Sequence, residues 1–152
     1  KYFSLKKKIT TISLKIFDTY GENDKRKKIL NLLLKSYKSN KMLNLSPGNQ
    51  YLDYVHISDV SKLISQICKD IKNKKLKGFD YFTVSSKKPI KLKMLIANLK
   101  KSLNKDLKVK IGAKKYRSIE SMKYVKLIKN YPDWNPSLNL VKEISKIFDK
   151  ND

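Results

Sequence analysis

Two tyrosine–lysine pairs stand at the spacing Tyr-x-x-x-Lys, Tyr2/Lys6 and Tyr37/Lys41. On a helix this spacing puts a phenol and an ammonium on one face, where the cation can lower the phenol's pKa. In a chain so rich in lysine, nine tyrosines produce as many such pairs by chance, so neither carries a catalytic assignment. The four glycines, at 21, 48, 78 and 112, form neither G-x-G-x-x-G nor G-x-x-x-x-G-K, so no phosphate-cradling loop of either kind is present. No cysteine–histidine cluster has metal-ligand spacing, and no metal site is expected. The single cysteine, Cys68, falls in a helical apolar pattern and reads as a reduced, buried or half-buried thiol. The single histidine, His56, is flanked by Val55 and Ile57 in a strand pattern and reads as structural.

The elements that must position any chemistry follow from periodicity. Residues 1–8 read as the end of a basic helix, and Ile9 to Phe17 as a strand. Residues 18–24 read as a polar loop. A helix over 25–38 places Ile29, Leu30, Leu33, Leu34 and Tyr37 at helical spacing. Leu43 and Leu45, then Pro47-Gly48, then Tyr51 to Ile57 read as strand, type II turn and strand, a local hairpin signal. Ser58-Asp59 offers caps for a helix over 59–72 whose apolar face is Val60, Leu63, Ile64, Ile67 and Ile71. Beyond a lysine-rich loop come a strand over 79–85, a helix over 91–103, a short strand over 106–111 and a loop over 112–120. A helix over 121–129, a loop with Pro132 and Pro136, and a final helix capped by Ser137 complete the chain. Strands alternate with helices, so the class is α/β or α+β, in one domain over 1–152.

Charge narrows the function classes. The formal charge is +23, yet among 36 basic residues only Arg26 and Arg117 are arginines. Phosphate and base recognition favour arginine forks, and the lysines are spread along the chain rather than gathered into a stripe. The mix of lysine, isoleucine, asparagine and tyrosine matches an AT-rich coding bias, so the lysines read as a solvated surface. A basic nucleic-acid-binding α/β module is the competing reading. No apolar run reaches the roughly 18 residues of a membrane span, and no signal-peptide pattern is present, so a cytoplasmic location and no membrane partner are expected.

Four segments, in order, resemble one family. Leu14-Lys15-Ile16-Phe17-Asp18-Thr19-Tyr20-Gly21 resembles the Leu-Arg-x-x-Asn-x-Tyr-Gly segment of extended short-chain dehydrogenase/reductases, the NAD(P)-dependent sugar-nucleotide epimerases, dehydratases and reductases. Gly48-Asn49-Gln50-Tyr51-Leu52-Asp53-Tyr54-Val55-His56-Ile57-Ser58-Asp59-Val60 is similar to that family's Gly-x-Gln-x-Arg-Asp-Phe-Val-x-Val-x-Asp-Val. Residues 82–90 loosely match its Asn-x-Gly-x-Gly-x-x-x-Ser/Thr segment. Tyr116-Arg117-Ser118-Ile119-Glu120, then Trp134-Asn135-Pro136-Ser137-Leu138, resembles its closing Arg-x-x-Glu and Trp-x-Pro-x-x-x-Leu.

The resemblance implies an α/β fold: the C-terminal part of an extended Rossmann-type enzyme, without the Gly-rich nucleotide-binding half. Within the family, the branch reducing CDP-4-keto-6-deoxyglucose is the most similar, which implies an NDP-4-keto-6-deoxyhexose substrate in surface polysaccharide biosynthesis. The family's catalytic Tyr-x-x-x-Lys lies well upstream of the Leu-Arg segment, and Tyr2 stands too close to Leu14 to be it. The chain starts at Lys1 without methionine and reads as a piece of a longer protein, inactive by itself, with no catalytic residue of its own. NAD(P) belongs to the full-length family and is not expected to bind this chain alone. The implied partners are a nucleotide-sugar, the missing N-terminal half and, allowed by the resemblance, a second copy; an inactive truncated relic is the third reading.

The resemblance also nominates residues. Arg117 takes a phosphate, or is a surface arginine; Glu120 orients it or binds a ribose hydroxyl, or complements a helix dipole. Asp18, Thr19 and Asn23 face substrate or cofactor, or serve as turn and capping residues. Lys25 and Lys27 meet phosphate near a helix N-terminus. Gln50 joins the substrate site or only stabilises the turn. Leu52 stands where the family carries an arginine, which removes one phosphate contact.

Overall fold

A computed structural model describes residues 1–7, 9–120, 122–124 and 129–150. Helix α1 (Tyr2–Lys7) leads into strand β1 (Thr11–Ile16), which runs parallel to β6 (Phe79–Val84) from Thr11↔Phe79 to Ile16↔Val84. At Phe17 the chain changes partner. The Phe17 N–H still bonds to the Val84 carbonyl, but the next three residues form β2 (Asp18–Tyr20), parallel to β5 (Tyr54–His56). The expected loop over 18–24 is therefore strand in its first half. Parallel pairing requires crossovers, and three helices supply them: α2 (Ile29–Ser39), α3 (Ile57–Lys72) and α4 (Leu92–Ser102). Helix α5 (Leu140–Lys150) closes the described chain, and no described helix is long and apolar enough to cross a membrane.

The turn at Pro47-Gly48 does not make a hairpin. Strand β3 (Leu43–Asn44) pairs in parallel with β8 (Val109–Lys110), and β4 (Tyr51–Leu52) pairs antiparallel with β7 (Ile90–Lys91). The strands flanking the turn thus separate toward two different long-range partners. Gly48 keeps the positive φ of +75° that the turn signal requires, and its carbonyl accepts from the Lys93 N–H at the start of α4.

Alternation along β5 divides the core. Tyr54 joins Tyr20, Leu33, Leu95, Leu99, Leu107, Ile144 and Phe148, which pack α2, α4 and α5 together. Val55 joins Val60, Leu63, Ile67, Phe82, Val84 and Tyr131 on the β1–β6 side. Leu33, Leu63, Leu95 and Leu99 are fully buried, and each contributes about 1.5–3 kcal/mol through the apolar area removed from water.

Several boundaries move for physical reasons. Helix α2 starts at Ile29, not 25, because Asp24 and Arg26 hold the preceding chain in a competing hydrogen-bonded turn. Helix α3 is capped by His56, whose Nδ1 accepts from the Ser58 N–H at 3.2 Å, and not by Ser58-Asp59. On α3 the buried stripe runs through Val60, Leu63, Ile67 and Asp70, so Ile64 and Cys68 face outward, and the thiol is exposed rather than buried. Ser137 does not cap α5; the Asn139 side chain does so by accepting from the Lys142 N–H at 3.0 Å. The strand over 106–111 shortens to Val109–Lys110, with Leu107 buried beside it. The helix expected over 121–129 falls partly outside the described residues, and 122–124 and 129 are not helical.

One polar cluster supports the β1–β6 layer. Asp70 accepts from the Tyr131 hydroxyl and from Gln66 Nε2 at 2.9 Å, with Lys75 beside it. The bond from Tyr131, then that from Gln66, holds the Asp70 carboxyl below the usual carboxylate range, while burial and the Asp70 bond push Tyr131 up to about 12. A depressed folded pKa gives stability that is complete above the unfolded value and is lost as pH falls through the folded one. Urea melts of Asp70→Asn are therefore expected to lose less stability than the wild type on acidification below about pH 4. Equal acid sensitivity would overturn this.

Candidate functional site

A groove of about 600 Å³ opens where β4 passes the Pro47–Gly48 turn, between α2 and the loop over 112–120. Five of the eight nominated residues line it: Asp18, Lys27, Gln50, Arg117 and Glu120. Arg117 lies on the loop, with Nε 3.2 Å and Nη2 3.5 Å from the Glu120 carboxylate, and the Glu120 N–H turns back to the Arg117 carbonyl at 3.2 Å. Glu120, largely covered at its side chain, raises the pKa of the exposed guanidinium and aims it. Asp18 pairs with Lys28 at the other end of the groove. Gln50 is nearly buried, at 7% exposure, and its Oε1 has no hydrogen-bond partner.

Thr19 lies in a neighbouring groove with Phe17, Asp18, Arg26 and Ile57. Arg26 Nη2 donates to the Thr19 carbonyl at 2.7 Å and to its Oγ1 at 3.1 Å, and the same side chain holds Asp24. The second arginine is thus committed to bracing the loop after β2 against Thr19 on that strand. Asn23 sits at φ +60° in an exposed turn, and neither it nor the exposed Lys25 lines either groove.

Sequence reasoning passed over Asp53. This buried carboxylate accepts from Ser85 Oγ at 2.7 Å, the Ser86 N–H at 2.6 Å and the Tyr124 hydroxyl at 3.1 Å. It ties the end of β4, whose Tyr51 and Leu52 line the groove, to the segment after β6. Its signal was its place in the matched segment, at the Asp of Gly-x-Gln-x-Arg-Asp-Phe-Val, where it was given no role. Lys114 and Lys115, which line the groove from the loop, were hidden among the other lysines.

Parallel strands joined by helical crossovers, with polar grooves at the strand edges, define the Rossmann-type α/β class. The chain belongs to the NAD dependent epimerase/dehydratase family, whose family model matches residues 1–80. It is 30% identical over 123 residues to a CDP-abequose synthase of Yersinia pseudotuberculosis, an alignment covering 80% of this chain and 41% of that protein. Among solved structures, it resembles a UDP-glucuronic acid 4-epimerase from Bacillus cereus at 18% identity and TM-score 0.73, over 97% of this chain and 47% of the other. It also resembles DesIV, a dTDP-glucose 4,6-dehydratase from Streptomyces venezuelae, at 14% identity and TM-score 0.77, over 97% and 45%. The chain therefore has the fold of part of an extended short-chain dehydrogenase/reductase, and spans less than half the length of these proteins.

The four glycines of this chain do not build a pyrophosphate-cradling turn. A Gly-rich turn leaves open space above a helix N-terminus for the pyrophosphate. Here Ile57 Cγ2 lies 2.7 Å from where a Cβ on Gly21 would sit, and Lys93 fills the space at Gly48. Gly78 and Gly112 are isolated turn glycines.

Proposed function

We propose that this chain is the sugar-nucleotide-binding part of an NAD(P)-dependent nucleotide-sugar epimerase, dehydratase or reductase. Its substrate is an NDP-4-keto-6-deoxyhexose of surface polysaccharide biosynthesis. The observation that carries the reading is the convergence of Arg117, Glu120, Gln50 and Asp18 on one groove from three separate parts of the chain. A nucleotide-sugar presents phosphates, hydroxyls and a base, and needs a cation, carboxylate and amide groups in reach. Arg117 takes a phosphate, and Glu120 keeps it aimed. The likeness to a CDP-abequose synthase supports a CDP-linked sugar.

Hydride transfer belongs to a half outside this chain. Strand β1 supports that division: β6 is paired on one side with β1 and on the other through the Thr83–Asn130 bridge, while along the second edge of β1 no described strand pairs. Tyr81 and Phe79 on β6 are each 40% exposed. Parallel sheets are ordinarily covered on both faces, so this edge and face suit the N-terminal half of the enzyme, within a single folding unit of which residues 1–152 are one part.

Titration of the chain with CDP- and dTDP-linked sugars tests the proposal. Saturable binding is expected, without NAD(P)H oxidation, and Arg117→Ala is expected to weaken it at least about tenfold. Absence of binding at millimolar ligand, or cofactor-dependent reduction by the isolated chain, would overturn it.

A further inference from the structure

Strand β5 carries a hydroxyl that the fold does not use. In the segment matched to Gly-x-Gln-x-Arg-Asp-Phe-Val, Tyr54 stands where that pattern has phenylalanine. Its ring does what a phenylalanine would do. It is 4% exposed, packs in the core with Leu33 and Leu95, and meets the Tyr20 ring edge to face at 6.2 Å. The oxygen is the addition. Among the described residues it meets no hydrogen-bond partner, and unlike Ser4 Oγ and Gln50 Oε1 it is not sealed from the surface. A buried phenol ordinarily finds a partner, so one left unpaired on the wall of a groove is available to a ligand.

The surroundings say what kind of group it meets. The β2–β5 register sets Asp18 opposite Tyr54, so the two side chains stand on one face of the strand pair. Both line the groove, at the end away from Arg117 and Glu120. Burial first, and then the Asp18 carboxylate, raise the pKa of the Tyr54 phenol, against an opposing pull from Arg26. The phenol therefore keeps its proton at neutral pH and is a donor, not a base. Asp18 already engages the Lys28 ammonium. Its carboxylate opposes a phosphate at short range, whereas a sugar hydroxyl can donate to it. The same end of the groove lies beside the open sheet edge. Strand β1 leads through Phe17 directly into β2, and along the second edge of β1 no described strand pairs. The reacting sugar has to reach the half that supplies hydride, and the nucleotide does not.

Resting on the function proposed above, we infer that Tyr54 is a specificity-determining residue whose hydroxyl donates a hydrogen bond to an oxygen of the sugar, at the Asp18 end of the groove. It does not act on the nucleotide. A phenylalanine at this position would fill the same space and read nothing.

Calorimetric titration of the 152-residue chain with CDP-glucose and with CDP separates the sugar from the nucleotide. Tyr54→Phe is expected to weaken CDP-glucose about fivefold, the loss of one neutral hydrogen bond, and to leave CDP unchanged. Arg117→Ala weakens both ligands. The melting temperature of the free chain is expected to be the same in Tyr54→Phe as in the wild type, because the deleted hydroxyl bonds to nothing in the described protein. Equal CDP-glucose affinity in variant and wild type, or an equal loss for both ligands, would overturn the role of Tyr54 and leave the proposed function standing. A lower melting temperature would do the same, since it would make the hydroxyl structural. A wild-type chain that binds neither ligand would overturn the proposed function and this inference with it.

Discussion

Asp59→Ala is expected to lower the unfolding free energy by about 3 kcal/mol. Asp59 is 2% exposed, in the first turn of α3, yet its carboxylate serves a distant segment. It accepts from the Ser137 N–H at 3.1 Å, the Ser137 hydroxyl at 2.8 Å and the Leu138 N–H at 3.2 Å. The serine hydroxyl can rotate to a new partner, but the two backbone N–H groups cannot. Alanine leaves both without an acceptor, at about 1–3 kcal/mol each. Asp59→Asn keeps one acceptor oxygen, loses the charge and points its own N–H atoms at donors, so it is expected to cost less than alanine and more than nothing. Urea denaturation read by far-UV circular dichroism checks both. The midpoint should fall with an unchanged m-value. An alanine variant within about 0.5 kcal/mol of the wild type, the range of an inconsequential surface change, would show that the segment over 137–138 does not depend on Asp59.

Gly48→Ala is expected to cost about 2–4 kcal/mol, combining backbone strain with a collision. At φ +75° an L side chain is strained wherever it points, and a Cβ there would lie 3.0 Å from the backbone nitrogen of Lys93 and 3.1 Å from its Cβ. That nitrogen is the donor to the Gly48 carbonyl, so the collision pushes apart the turn and the N-terminus of α4. Gly112→Ala is the matched control. Its φ is +83°, but no atom lies within 4 Å of the added carbon, so only the strain of about 1–2 kcal/mol is expected. The difference between the two variants isolates the packing contribution. Equal losses would mean that Lys93 yields freely. Gly48→Ala should also weaken nucleotide binding more than Gly112→Ala does, because Gln50 and β4 follow directly from the turn.

The legible part of the fold was the part written in local periodicity. The stripes of α2 and α4 were read correctly because Leu33, Tyr37, Leu92, Leu95, Ile96 and Leu99 repeat at helical spacing, and all are buried. On α3 the same rule erred at Ile64 and Cys68, since a helix with many apolar positions does not say which of them faces the sheet. His56 was recognised as structural from its strand flanks, but its use as the cap of α3 was not, because capping depends on where the ring turns. Of the candidate site, Arg117 and Glu120 were legible through a resemblance and their scarcity or spacing. Asp53, Lys114 and Lys115 were not: Asp53 stands in a matched segment but its buried partners are more than thirty residues away, and Lys114 and Lys115 are lysines among many.

The sequence by itself determined the alternation of helices and strands, the glycine turn at 48, the family and the arginine–glutamate pair. The alternation, the turn and the pair rest on neighbours a few residues apart, where backbone preference and side-chain spacing act directly, and the family on four ordered segments. The tertiary structure alone decided that the strands beside the turn pair with 109–110 and 90–91 rather than with each other. It also decided that Asp59 and Asp53 hold segments 137–138 and 85–86, and that Arg26 braces a loop while Arg117 faces a groove. Strand partners and buried hydrogen-bond acceptors are chosen by which groups lose water together, and that depends on residues tens of positions apart.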